Sequence, residues 1–361
     1  MLIFGCKPVT PPALTETIEI PTTTNTPITN PNPDATNEPS AQSPTESVTA
    51  VPSNSFLPIT SQNVNQLTLS NTLAMQEPVR IKWNLDQNSF TLIGFEGFWI
   101  FSHPELQLLF EYQFQPDEML VDVSSDGETY VLSFNQSSLI VKNWQTNQSH
   151  TIQTNISFMG GDISPDGTEI ILVQQDIWAG PIFDLESSNE ITTMIGFETA
   201  APVYNVSFGE DGNHAIWNAR ATIRLSDIAT NTIGDPIFHE DFLSSFSLSP
   251  NGEILATSSL GTNNDAIIPL VFFYDAVTTV ELASVEIESP AFSMDFSPDS
   301  RLLSVADGKM VALLDSIELI ELFRFDGDPE RVNNLEFSPD GDVLAVCGAN
   351  QTVTFWIIPT P

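Results

Sequence analysis

Carboxylates carry most of the chemistry this sequence could do. It holds 47 Asp+Glu against 10 Lys+Arg, a net charge of −37. A surface that binds phosphate needs Lys and Arg to displace counterions, so nucleic acid is excluded as a partner. Attraction to anionic lipid headgroups is disfavoured for the same reason. The acidity fits a salty or acidic exterior, solubility, or a patch for cations. The four histidines, His103, His150, His214 and His239, stand far apart and at no ligand spacing. His-Glu-x-x-His, Cys-x-x-Cys, Gly-x-Ser-x-Gly and Gly-rich phosphate loops are absent from the sequence. Asp326, Asp328 and Glu330 form a short acidic cluster without the twelve-residue pattern of a calcium loop. No catalytic residue, cofactor or metal is expected.

The elements that must position these residues come from a repeat. Phe337-Ser338-Pro339-Asp340-Gly341 reads as a tight turn, with Pro presetting the first corner and Asp-Gly tolerating the second. Versions recur at Phe296–Ser300, Leu248–Gly252, Phe208–Gly212, Ile163–Gly167, Val123–Gly127 and, decayed, at Trp83–Gln87. Their fourth positions are 86, 126, 166, 211, 251, 299 and 340, a spacing of 40 to 48. Each repeat reads as four short Val/Leu/Phe-rich strands, with no long helical periodicity. Four strands every 40 to 45 residues is the pattern of β-propeller blades.

Leu335–Val346 followed by Thr352-Val353-Thr354-Phe355-Trp356 resembles a WD40 repeat. The Ser-Pro-Asp-Gly turn, an aliphatic-Ala pair and a closing aromatic all match. Tyr274-Asp275, Leu314-Asp315 and Phe183-Asp184 are degenerate forms of the Trp-Asp end. Tol-type envelope propellers share the same turn. The resemblance implies an all-β, seven-bladed, WD40-like propeller over residues 58–361. The last repeat holds three strands, so an N-terminal strand within 62–70, carrying Leu67 and Leu69, is expected to complete the last blade and close the ring.

Residues 7–57 are rich in Thr, Pro, Asn and Ser and nearly free of aromatics. Such a segment cannot bury enough apolar surface to offset its ordering entropy, and it reads as a disordered linker. Ile3-Phe4-Gly5-Cys6 resembles the lipobox of bacterial lipoproteins, which makes residues 1–6 the remnant of a signal peptide and Cys6 the lipidated residue. Cys347, in an apolar run, reads as a core residue.

In a WD40-like ring the loops opposite the Ser-Pro-Asp-Gly turns form the usual binding face. The resemblance places Trp99, Trp178 and Trp217 near that face. Asp176, Asp265 and Asp307 are read there as opening third strands, in a family position whose role is structural. The long insertion Leu260–Pro269, with Asn263, Asn264 and Asp265, is read as a loop on the same face. The expected function is a non-enzymatic, monomeric scaffold for a protein or peptide, outside a bacterial membrane and bound to it only through Cys6. The alternative is a propeller hydrolase or lyase, or a Tol-type envelope propeller, with carboxylates at the central channel.

Overall fold

The computed structural model describes residues 56–75, 80–174, 179–195, 203, 205–263 and 266–360. Cys6, almost all of the 7–57 linker, Asp176, Trp178, Asn264 and Asp265 lie outside them. The described residues form seven antiparallel sheets, joined in chain order, and one 3₁₀ turn, Val64–Gln66.

Blade 1 contains Arg80–Trp83, Ser89–Ile93, Gly97–Ser102 and Leu108–Gln113. Blade 2 contains Met119–Val123, Thr129–Ser133, Ser138–Asn143 and Gln148–Gln153. Blade 3 contains Phe158–Ile163, Glu169–Gln174, Ala179–Asp184 and Glu190–Ile195. In blade 4, Asn205–Phe208, His214–Ala219 and Thr222–Asp227 are followed by two fragments, Thr232–Ile233 and Ile237–Phe238, that share the outer position. Blade 5 contains Ser245–Leu248, Ile254–Asn263, Ala266–Asp275 and Glu281–Glu286, and blade 6 contains Met294–Phe296, Leu302–Asp307, Met310–Asp315 and Ile320–Asp326. Blade 7 contains Val332–Phe337, Val343–Gly348 and Thr352–Ile357.

The fourth strand of blade 7 is Thr68–Ala74, paired antiparallel with Thr352–Ile357. The ring is therefore closed by the N-terminal strand. That strand starts six residues later than the expected segment, because Asn63–Leu67 is used in a tight turn. Ile59, Val64, Leu67 and Ile358 pack into the core between blades 6 and 7 with Leu302, Leu313 and Phe337. Leu69 is 51% exposed on the outer edge, so Leu67 is the closing residue that is buried.

The first strand of each blade lies innermost, against its neighbours around the ring. The repeated turn links it to the second strand. Ser164, Ser249, Ser297 and Ser338 each bond the fourth turn residue, Asp166, Asn251, Asp299 or Asp340, at 2.6–2.7 Å. The same hydroxyls accept the first N–H of the second strand at 2.9–3.0 Å. The repeated Asp is therefore a turn former. Gly127, Gly167, Gly212, Gly252 and Gly341 follow it with φ between +68° and +75°, where a Cβ is strained.

Candidate functional site

Two features of the ring stand out by position: its central channel and the face opposite the repeated turns. An innermost strand is a sheet edge, and its outward N–H groups have no ladder partner. Four residues before each turn's fourth position stands one inner-strand residue per blade: Lys82, Asp122, Asp162, Ser207, Ser247, Asp295 and Glu336. Five of these side chains reach the next blade. Lys82 donates to the Val123 carbonyl at 2.6 Å and to Asp122 Oδ2 at 2.9 Å. Asp122 accepts the Ile163 N–H at 3.1 Å, and Asp162 the Phe208 N–H at 2.8 Å. Asp295 accepts the Phe337 N–H at 2.6 Å, and Glu336 the Trp83 N–H at 3.1 Å. Carboxylates thus satisfy edge donors that a sheet leaves open.

The charge in this channel is unbalanced. Burial alone would raise Asp122, which is 1% exposed, but Lys82 and Arg80 outweigh it and hold its carboxyl down at about 2. Lys82 also pulls down Asp162, and Lys82 and Arg80 pull down Glu336, but by less than burial pushes them up. Burial, with Asp122 alongside, raises Asp162 to about 7. Burial raises Glu336 to about 8, whereas Glu210, in the turn of blade 4, is solvent-exposed. Burial and the neighbouring Glu210 and Glu336 push Asp295 well above the carboxylate range. Sequence reasoning missed this set. Its signal was a polar residue at one fixed distance before each turn.

The face opposite the turns carries aromatic side chains. Among the described residues the exposed phenylalanines are Phe95, Phe134, Phe238, Phe242 and Phe292. Phe95 and Phe134 sit between second and third strands, and Phe242 and Phe292 between blades. Phe238 ends the outer fragment of blade 4 beside Thr222, at that same end. Phe95 is 76% exposed, and the Arg331 guanidinium lies 4.7 Å from the Phe292 ring centre. The exposed hydrophobic side chains at the turn face among the described residues are aliphatic: Leu57, Leu85, Val277, Val280, Ile317 and Ile320.

Several expected residues prove to be structural. Trp217 is fully buried between blades 3 and 4, against Ile171 and Val173, so it anchors no partner. Trp99 is half-buried against the cluster of Trp83, Phe90 and Phe101; the exposed aromatic in its blade is Phe95. Asp307 ends the second strand of blade 6 rather than opening the third. It is buried, accepts the N–H groups of Glu288 and Ser289 at 2.9 and 2.7 Å, and pairs with Arg324, which leaves nothing for a ligand. Asp328 caps the N–H groups of Glu330 and Arg331.

The Leu260–Pro269 insertion is no loop. Its residues extend the second and third strands as a ribbon, paired out to Asn263 and Ala266. The first strand of blade 5 covers the second only over Leu255–Ser258, and the fourth covers the third only over Leu270–Tyr274. The ribbon beyond them is two strands wide, with Ile267 exposed on it.

Residues 320–356 match the family model of the WD domain, G-beta repeat. This segment is a WD40 repeat. It runs from the outer strand of blade 6 through the third strand of blade 7, ending at Trp356. A WD40 repeat is thus offset by one strand from a blade, and the last blade must borrow Thr68–Ala74. WD40 propellers generally serve as scaffolds that bind protein partners. No curated protein matches the chain.

Proposed function

We propose that this propeller is a non-enzymatic scaffold that binds a protein or peptide on the face opposite its Ser-Pro-Asp-Gly turns. One observation carries the reading: every exposed phenylalanine among the described residues lies at that end of the ring. Rigid exposed aromatics cost little ordering entropy when buried by a partner and are frequent interface anchors. The blade 5 ribbon stands beside Phe242, where Ser259 Oγ bonds the Asp241 and Phe242 carbonyls, and adds a wall to the surface. A photoreactive residue at position 95 or 292 should cross-link a partner, and one at position 277 or 317 should not.

In this reading the scaffold is displayed outside a bacterial membrane, with lipidated Cys6 as anchor and residues 7–57 as tether. The entry point of the chain favours it. Leu57 bridges Ile358, and the Ile59 N–H bonds the Gly341 carbonyl at 2.9 Å, so the chain enters at the turn face. A tether there leaves the aromatic face pointing away from the membrane. Loss of membrane fractionation on Cys6→Ser tests the anchor.

A second reading, a propeller hydrolase or lyase, has in its favour the buried Asp295, raised by burial with Glu210 and Glu336 nearby. Against it, Asp295 is occupied by the Phe337 N–H as well. Hydrolysis of a substrate panel, abolished by Asp295→Asn in a folded protein, would support this second reading.

A further inference from the structure

Three of the exposed phenylalanines opposite the turns stand beside exposed carboxylates. Phe95 and Glu96 form the corner of a turn in which the Gly94 N–H bonds the Gly97 carbonyl at 2.9 Å. The Glu96 carbonyl accepts the Phe114 N–H at 2.8 Å, which brings the loop of exposed Asp117 to that corner. Between blades 4 and 5, Phe242 follows exposed Glu240 and Asp241. Asp241 Oδ1 accepts the Phe242 N–H at 2.7 Å, so that carboxylate is held next to its ring. Phe292 lies in the loop of exposed Glu288, and the next loop brings Glu330 and Arg331 toward it.

The face of an aromatic ring attracts a cation, and a carboxylate beside the ring adds the opposite charge. One such contact is made within the chain, where the Arg331 guanidinium lies 4.7 Å from the Phe292 ring centre. Among the described residues the bases exposed in these loops are Arg220, Lys309 and Arg331, fewer than the acids beside the rings. Phe95 and Phe242 therefore present a ring and a carboxylate together in a surface short of positive charge.

We infer that the segment bound on this face is basic, and that its arginine side chains lie on Phe95, Phe242 and Phe292 with their charge on the neighbouring carboxylates. The inference rests on the docking face proposed above and adds the chemistry of what docks there. Arginine suits the site better than lysine, because a planar guanidinium stacks on a ring while its edge bonds a carboxylate. An acidic segment would meet repulsion from a chain of net charge −37. The turn face is acidic too, but it offers a cation no ring. Leu85 stands beside Asp86 there, where the opposite face has Phe95 beside Glu96.

A fluorescent peptide of alternating Arg and Gly, titrated with the full chain at about 0.15 M salt, tests this, since attraction between distant charges is then screened. Glu96→Gln, Asp241→Asn and Glu330→Gln combined should weaken binding about tenfold or more. Glu105→Gln, Glu186→Gln and Glu318→Gln combined remove the same charge from exposed positions on the turn face, and should weaken it by less than about twofold. Phe95→Leu with Phe292→Leu keeps the charge and the apolar bulk, and should cost about threefold or more through the lost rings. Equal losses from the two faces, no loss in the leucine variant, or no binding by the wild-type protein overturns the inference. Mapping the partner residues cross-linked from position 95 or 292 separates it from the docking reading. A basic segment supports both. An acidic or uncharged segment keeps the docking face and sinks its chemistry, and no cross-link sinks both.

Discussion

The backbone N–H of Phe337 lies 2.6 Å from the Asp295 carboxylate of the preceding blade. The same relationship joins Ile163 to Asp122, Phe208 to Asp162 and Trp83 to Glu336. A propeller places the edge strand of every sheet around one channel, and its open N–H groups need acceptors that no ladder provides. One carboxylate in each of blades 2, 3, 6 and 7 supplies such an acceptor, and each bond also ties two blades together.

Asp122 is the most heavily used of these groups, with Arg80, Lys82 and Ile163 all on one buried carboxylate. Asp122→Ala leaves Lys82 and the Ile163 N–H without it. Removing one partner of a buried ion pair costs about 3–5 kcal/mol. Urea unfolding should show a loss of that size. Arg301→Ala, an exposed change on the turn face, should stay within about 0.5 kcal/mol.

Acidification should stabilise the ring. The folded-state carboxyls of Asp162, at about 7, and Glu336, at about 8, lie above their unfolded values, with Asp295 raised as well. A raised acid holds its proton in the folded state while the unfolded chain has lost it. Its contribution is complete below about pH 4 and disappears as pH rises through 7 to 8. Asp122 has the opposite sign and is lost only as pH falls toward 2. The melting temperature should therefore rise by at least about 5 °C from pH 8.5 to pH 5.5. Calorimetry showing the reverse slope contradicts this charge balance.

Ring closure separates two leucines that are neighbours in sequence. Leu67 is buried in the junction of blades 6 and 7, and Leu69 lies on the outer edge. Leu67→Ala should cost about 2–4 kcal/mol through the lost contacts and the cavity left behind. Leu69→Ala should cost under about 0.5 kcal/mol. Deletion of Thr68–Ala74 exposes the edge of Thr352–Ile357 and should abolish cooperative unfolding.

The sequence carries the fold openly, because each blade repeats one turn whose Ser, Asp and Gly have separate bonding jobs. Boundaries are less legible at the rim. Thr68–Ala74 contains Ser70, Asn71 and Thr72, since an outer strand has little to bury, and the apolar pattern that betrays inner strands fades there. The blade 5 ribbon reads as a loop because Gly261 and the Asn263-Asn264-Asp265 run are turn formers, yet Ile267 and Ile268 continue the pairing. Trp217 shows why residue type alone does not find an interface: the same large ring suits a partner or the seam between blades, and its place on the strand decides. Phe95 is visible in retrospect as an apolar residue isolated between Gly94 and Glu96.

The central claim is that partners dock opposite the repeated turns. Full-length protein with a photoreactive residue at position 95, 134 or 292, and separately at 85, 277 or 317, is irradiated in its native cells, and the adducts are identified by mass spectrometry. The account predicts one common adduct from the first three positions and none from the second three. The same adduct from the turn-face positions, or no adduct from any aromatic position, contradicts it.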